Sequence, residues 1–315
     1  MKRFFAVCRV VRGMRRVRIG AVGARPNAFN TTRYSEKLLE AAGISVNTID
    51  LSEVFGNAAK ITSDDARVKQ RVDQIRGYAD SSSAPIESLV KMAKFALVID
   101  DWMLSLGLTA TAIQCWSSLQ KNFGANVCTI MSMMSEQMMP SACEVDIAGV
   151  VSMYALQLAS GRPSALVDWN NNYGNDPDKC VLFHCGNWAK DFLPDIRIGT
   201  APILGTMLGE ENTVGALAGR TPAGPMSFGR VSTDDTTGRI RAYVGDAQFT
   251  NDPLDTFGTR AVVQIPHLQE LMQFICLNGF EHHTAMTSSH CAASVSEALG
   301  KYLGWDVYHH PSASR

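Results

Sequence analysis

The 315-residue chain contains no pair of cysteines separated by two residues, although it has eight cysteines. That absence argues against a structural zinc site. Their apolar contexts (AVCRV, IQCWS, VCTIM, SACEV) instead predict reduced, buried thiols. No apolar run reaches the roughly 18 residues a membrane span requires, so the chain reads as soluble and cytoplasmic. A net charge of −1, with 29 basic against 30 acidic residues, gives no excess of positive charge for nucleic acid. The basic start, MKRFFAVCRVVRGMRRVRIG, is broken repeatedly by Arg9, Arg12, Arg15 and Arg16. It therefore lacks the apolar core of a secretory signal and reads as a structural helix running into VRIGAVGARP. Gly20, Gly23 and Arg25 follow a strand but lack the third glycine of a dinucleotide fingerprint.

What is present is a regular alternation of elements. A strand at 17–24, a helix in YSEKLLEAAG closed by Gly43, and a strand at 44–51 make a βαβ unit, hence a parallel sheet. The pattern predicts helices over 66–77 and 86–96, a strand over 95–101 and a helix over 109–123. The short apolar run at 126–134 fits a strand or a buried helix equally. A helix over 143–159 and strands over 163–170 and 179–186 follow. The first of these two strands places Asp168 at its carboxyl end, where doubly wound sheets present ligand-binding groups. After about residue 195, Gly, Thr and Pro become frequent and short alternating runs such as GRIRAYVGDA appear. The expected fold is α/β. A doubly wound parallel sheet domain over 1–195 precedes a C-terminal antiparallel β-barrel-like domain with helices over 196–315. The tail HHPSASR reads as frayed, with His309 and His310 in it.

Three residues stand out for chemistry: Glu144 in PSACEVDIAG, Asp168 in LVDWNNNYG and His283 in NGFEHHTAM. Two carboxylates and an imidazole can hold an oxygen-preferring divalent ion that polarises a carbonyl. Each also has an ordinary explanation. Glu144 suits the first turn of a helix, Asp168 suits a turn into the NNNYG loop, and adjacent histidines are often merely exposed. His184, in VLFHCG, reads as a satisfied histidine in an apolar strand.

Beyond these patterns, GARPNAFNTTRYSEKLLEAAGISVNTIDLSE, AIQCWSSLQ, MPSACEVDIAGVVSMYALQLASG, LVDWNNNYGNDPDKCVLFHCGNW and NGFEHHTAM resemble the L-fucose/L-arabinose isomerase superfamily, specifically the L-fucose isomerase-like proteins. The likeness extends from about residue 17 to about 308. It implies a metal-dependent aldose–ketose isomerase acting on an open-chain monosaccharide through a cis-enediol. The implied cofactor is Mn²⁺, with Mg²⁺ or another divalent ion as alternatives. The resemblance assigns Glu144, Asp168 and His283 to the metal, with His282 as fallback for the histidine. It makes Glu144 and Asp168 the proton-transfer groups, without saying which is the base. Gln114, Trp116, Asn170, His184 and Asn278 are implied substrate contacts. A homo-oligomer, trimer or hexamer, is implied as well. Family members usually carry a further N-terminal α/β domain before the GARP strand, and its absence raises the alternative of a catalytically impaired sugar-binding remnant.

Overall fold

Helical periodicity explains the start of the chain. In α1 (Lys2–Met14) the buried residues are Ala6, Val7, Val10 and Met14, a stripe at three- and four-residue spacing. Burying each of the larger three contributes roughly 1.5–3 kcal/mol. The computed structural model describes residues 1–312. In it, the four parallel strands β1 (Arg18–Val22), β2 (Ser45–Ile49), β3 (Ala110–Ile113) and β4 (Ser141–Cys143) lie in the order β2–β1–β3–β4. Around them pack α2 (Glu36–Ala41), α3 (Leu51–Lys60), α4 (Ala66–Tyr78), α5 (Ile86–Leu106), α6 (Cys128–Glu136) and α7 (Ile147–Ser160). Arg9 of α1 donates to the carbonyls of Leu158 and Ala159 at 2.7 and 2.8 Å. A cation there offsets the negative end of the α7 dipole.

The remaining strands form one sheet. They are β5 (Ser164–Asn172), β6 (Lys179–His184), β7 (Arg197–Gly199), β8 (Ala216–Arg220), β9 (Gly224–Asp234), β10 (Arg239–Thr250), β11 (Thr259–Gln264), β12 (His283–Thr287) and β13 (Asp306–His309). Six of them pair antiparallel in the order β10–β9–β12–β5–β6–β11, and β10 pairs again with β11 to close a barrel. Closure removes the exposed edges that would otherwise invite pairing with other chains. β8 and β7 extend the sheet beyond β11, and β13 adds in parallel to β10. The short helices α8 (Pro202–Leu208), α9 (Leu268–Leu277) and α10 (Ala292–Ser296) complete the structure. The parallel sheet followed by an antiparallel barrel is the α/β arrangement expected.

Several local expectations are corrected. The apolar run at 95–101 lies inside α5, where Phe95, Ala96, Leu97, Val98 and Ile99 are all buried. A helix enclosed on every side loses its periodic signature and mimics a strand. The segment 109–123 is not a helix. β3 ends at Ile113, and a loop through Gln114, Cys115 and Trp116 leads to a single π turn at Leu119–Phe123. The ambiguous run at 126–134 is helical as α6, and the helix expected from 143 begins only at Ile147. β5, which carries Asp168, is antiparallel to both its neighbours rather than part of the parallel sheet. Cys8 and Cys276 are exposed, not buried. His309 ends β13 and His310 is buried, its Nε2 bonded to Pro266 O at 2.6 Å, so these two are not frayed. The last three residues of that tail, 313–315, lie outside the described residues.

Candidate metal and active site

The ends of the parallel strands face the barrel rim, and this junction gathers the chemistry-bearing side chains. β4 runs out at Cys143. Asp146 then caps α7, its carboxylate accepting from the Gly149 N–H at 2.8 Å. Between strand and helix, Glu144 and Val145 both adopt left-handed backbone conformations, with φ of 56° and 54°. Such a conformation costs on the order of 1–3 kcal/mol for each non-glycine residue and is retained where the surroundings demand it. It turns the Glu144 carboxylate into the junction, where Oε1 accepts from Cys115 Sγ at 3.2 Å and Trp116 Nε1 at 3.3 Å. Oε2 is buried without a hydrogen-bond partner. From the barrel side, register pairs Asp168 of β5 directly with His283 of β12. His283 Nε2 stands 3.4 Å from Asp168 Oδ1 and 3.7 Å from Glu144 Oε2. His184, the last residue of β6, brings Nε2 to 3.6 Å from Glu144 Oε2, and His282 Nε2 lies 3.5 Å from Asp168 Oδ1.

Three overlapping triplets of potential ligand atoms result among the described residues: Cys115 with Cys143 and Glu144, Glu144 with His184 and His283, and Asp168 with His282 and His283. His283 belongs to the last two. A divalent ion with ligands at about 2.0–2.2 Å places adjacent donors about 3 Å apart. The 3.4–3.7 Å spacings around His283 are within a small side-chain adjustment of that. The orphaned Glu144 oxygen is the sharpest sign of fit, since an unpaired buried carboxylate oxygen is costly without a cation. Each of the two triplets that contain His283 offers one carboxylate and two imidazoles, a donor set able to hold a divalent metal ion.

A second layer orients the first. His283 Nδ1 and Asp146 Oδ2 are 2.8 Å apart, and both residues are fully buried. Arg230 binds Asp146 through both terminal nitrogens at 2.5 and 2.9 Å, and its Nε donates to Glu281 at 3.1 Å. Ser232 donates to the other Glu281 oxygen at 2.8 Å. Burial alone would favour a neutral His283, but the hydrogen bonds to Asp146 and Asp168 outweigh it and push its pKa up to about 9. Burial opposes the Asp146 and Glu144 charges too. Arg230 and His283 hold Asp146 well below the usual carboxylate range, and His184 and His283 bring Glu144 below it. Burial and the neighbouring His283 charge push His282 down to about 4.

A cavity of about 910 Å³ lies beside the junction, walled by the Gly23–Tyr34 loop, the β9–β10 hairpin and residues 278–281; Val145, next to Glu144, lines it, but the ligand residues themselves do not. Thr31 Oγ1 bonds His282 Nδ1 at 2.7 Å, and Phe29 packs against Trp116, His282 and His283. The structure thus gathers Glu144, Asp168, His184, His283 and Trp116. Gln114 adjoins them, but its Oε1 accepts from Ala24 N at 2.9 Å and pins the loop after β1. Asn278 lines the cavity while donating to Phe274 O at the end of α9. Asn170 is exposed on β5, two residues beyond Asp168. Sequence reasoning missed Cys115, Asp146, Arg230 and Glu281. Asp146 had a weak signal as a helix cap before an apolar run, and Arg230 as a charge interrupting the strand GPMSFGRVSTD.

Residues 182–310 match the family described as L-fucose isomerase, C-terminal domain. The chain is 27% identical over 307 residues to a sulfoquinovose isomerase of Priestia megaterium, covering 96% of this chain and 66% of that protein. It is 24% identical over 317 residues to one of Alkalicoccus urumqiensis, covering 96% and 67%. A Clostridium relative of the same name is 25% identical over 222 residues, or 66% of this chain. The chain therefore spans about two thirds of the length of the Priestia and Alkalicoccus relatives.

Proposed function

We propose, from the match of residues 182–310 to the family described as L-fucose isomerase, C-terminal domain, that the protein is a metal-dependent aldose–ketose isomerase acting on an open-chain sugar. The observation that carries this reading is the approach of buried Glu144 and half-buried Asp168 to the buried His283 imidazole from three remote segments, with one Glu144 oxygen unpaired. The sulfoquinovose isomerases among its relatives support the same reaction class and make a sulfo-sugar one substrate to test.

In this reading Glu144, Asp168 and His283 hold a divalent ion, with Mn²⁺ first and Mg²⁺ the alternative. When bound, that ion supplies electrophilic stabilisation to the sugar's C1 and C2 oxygens. The chain's own residues do the rest. Cys115 and Trp116 hold Glu144 Oε1 and leave Oε2 facing the junction. Asp146 fixes His283 through Nδ1, so Nε2 faces the carboxylates. Interconversion needs a proton taken from C2 and one returned to C1. In this reading both carboxylates act ionised, each held below its usual range, and Asp168, with its side chain 28% exposed against 4% for Glu144, is the better reached by substrate. This supports Asp168 as the base. Phe29 and Trp116 supply an apolar cover over the imidazoles. A homo-oligomer, trimer or hexamer, belongs to the same proposal, and light scattering on the purified protein tests it.

The deciding experiment loads the protein with Mn²⁺, offers a panel of aldoses that includes sulfoquinovose, and follows ketose formation. Ketose that disappears in Asp168→Asn is the expected result. Bound metal and bound sugar without ketose from any aldose would refute the isomerase reading and leave a sugar-binding protein.

A further inference from the structure

The cavity beside the ligand cluster carries its own charge pattern. Three guanidinium groups line it: Arg25 and Arg33 from the loop after β1, and Arg241 from β10. Arg25 Nη1 donates to Pro26 O at 3.1 Å and to Asn30 Oδ1 at 3.4 Å, and Arg33 Nε donates to Asn30 O at 2.9 Å. Both are thus tied to Asn30 through neutral acceptors, and among the described residues neither forms a salt bridge with a carboxylate. The acids on the same wall are already engaged or turned to solvent. Glu281 is buried and taken by Arg230 and Ser232. One Asp234 oxygen accepts from Thr236 N, Thr236 Oγ1 and Thr237 N, holding the hairpin turn. Asp235 is exposed on that turn. Arg241 lies 5.1 Å over the Phe280 ring, and its buried Nε has no hydrogen-bond partner; the nearest carboxylate oxygen, on Asp234, is 3.8 Å away.

We infer that this cavity is an anion subsite in which Arg25 and Arg33 hold an oxyanion at the end of the substrate remote from the reacting carbonyl. The inference rests on the isomerase reading for where the carbonyl lies. Guanidinium forks match the paired oxygens of sulfonate, phosphate and carboxylate, and both arginines line a space large enough for an extended sugar chain. The link to the ligand cluster is short in the chain. Thr31, between the two arginines, bonds His282, and the cavity-lining Val145 follows Glu144. An anion seated on this loop would also hold Phe29 over the imidazoles.

The test uses the full chain loaded with Mn²⁺ and four six-carbon aldoses that differ at the far end: sulfoquinovose, glucose 6-phosphate, glucuronate and neutral glucose. Calorimetry gives Kd, and ketose formation gives KM and kcat. For the preferred anionic aldose, Arg25→Gln and Arg33→Gln should each raise Kd and KM about ten- to a hundredfold, the range for charge-assisted hydrogen bonds. The glucose values should not move, and Arg25→Lys should restore part of the loss. Which anion responds most identifies the head group. Equal binding of glucose and all three anionic sugars, or a Kd unchanged in both Gln variants, overturns the subsite while leaving the isomerase reading intact. A fall in kcat shared by glucose and the anionic sugar also overturns it. Loss of anionic-sugar binding in the variants, without ketose from any sugar, keeps the subsite and removes the isomerase.

Discussion

Asp146→Asn removes one charge and almost no volume, so it isolates what that carboxylate does. Asp146 faces three groups: the Gly149 N–H, the Arg230 fork and His283 Nδ1. Asparagine can still accept from Gly149, so the helix cap survives. Among the described residues, Arg230 is left with Glu281 as its carboxylate partner. Removing one partner of a buried ion pair costs about 3–5 kcal/mol, and the melting temperature should fall accordingly. Stability alone would not separate this role from ordinary core structure, so Glu281→Gln is the control. It too deprives Arg230 of a carboxylate, but among the described residues the Glu281 carboxylate bonds Arg230 and Ser232 and not His283. Both variants should lose stability. Asp146→Asn alone should weaken Mn²⁺ binding by about ten- to a hundredfold, the usual effect of losing the partner that orients a ligand histidine. Competition with a fluorescent chelator measures the affinity, and thermal melts measure the fold. Equal Mn²⁺ affinity in the two variants would show that Asp146 merely neutralises Arg230.

Three further outcomes follow from the same geometry. In metal-free protein His283 is pushed up to about 9 from an ordinary 6.5. The associated stabilisation, about 3 kcal/mol, is full below pH 6.5 and is lost as pH rises through 9. Thermal melts in chelator should fall across that window, and His184, also raised, acts in the same direction. Added Mn²⁺ should oppose the fall, because a ligating imidazole must be deprotonated; a flat metal-free profile contradicts the assignment. Gly149→Ala should destabilise by about 1–3 kcal/mol in urea melts, although alanine favours helices, because its methyl carbon would sit 2.6 Å from Asp146 Oδ2 and 2.9 Å from Arg230 Nη1. His283→Ala should abolish divalent-ion binding while His282→Ala leaves it largely intact, as read by metal analysis after dialysis; the reverse ranking transfers the ligand role to His282.

The sequence carried the layer architecture because its signals are local: the helix–strand alternation up to Ile49 and the alternating runs after residue 195 each fit one element. It misread 95–101 because burial on all sides erases the periodicity that separates helix from strand, as in Phe95–Ile99, and 109–123 because the four buried residues of β3 run straight into a loop and a π turn. The site was legible only where residue type and phrase coincided, at Glu144, Asp168 and His283. Arg230 and Asp146 stand 84 residues apart, and no local pattern announces that one will neutralise the other inside the protein. The same limit applies to the conformation that aims Glu144, since nothing in CEVD announces two consecutive left-handed residues.

The barrel ties these distant facts together through strand register. Side chains alternate along a strand, so the pairing of Asp168 with His283 also decides which face each presents. β12 is only five residues long, and His283 is its first. A slip of one residue would point His283 away from Glu144 and turn Thr284 toward it, while the parallel sheet remained intact. The register is held at the other end of β12, where Met286 and Thr287 pair on both sides, with Ala165 and Ser164 of β5 and with Phe228 and Ser227 of β9. Thr287 Oγ1 further donates to Pro163 O at 3.0 Å. Residues that never approach the ligand cluster therefore determine whether it forms, which explains why the cluster could not be read from its own members alone.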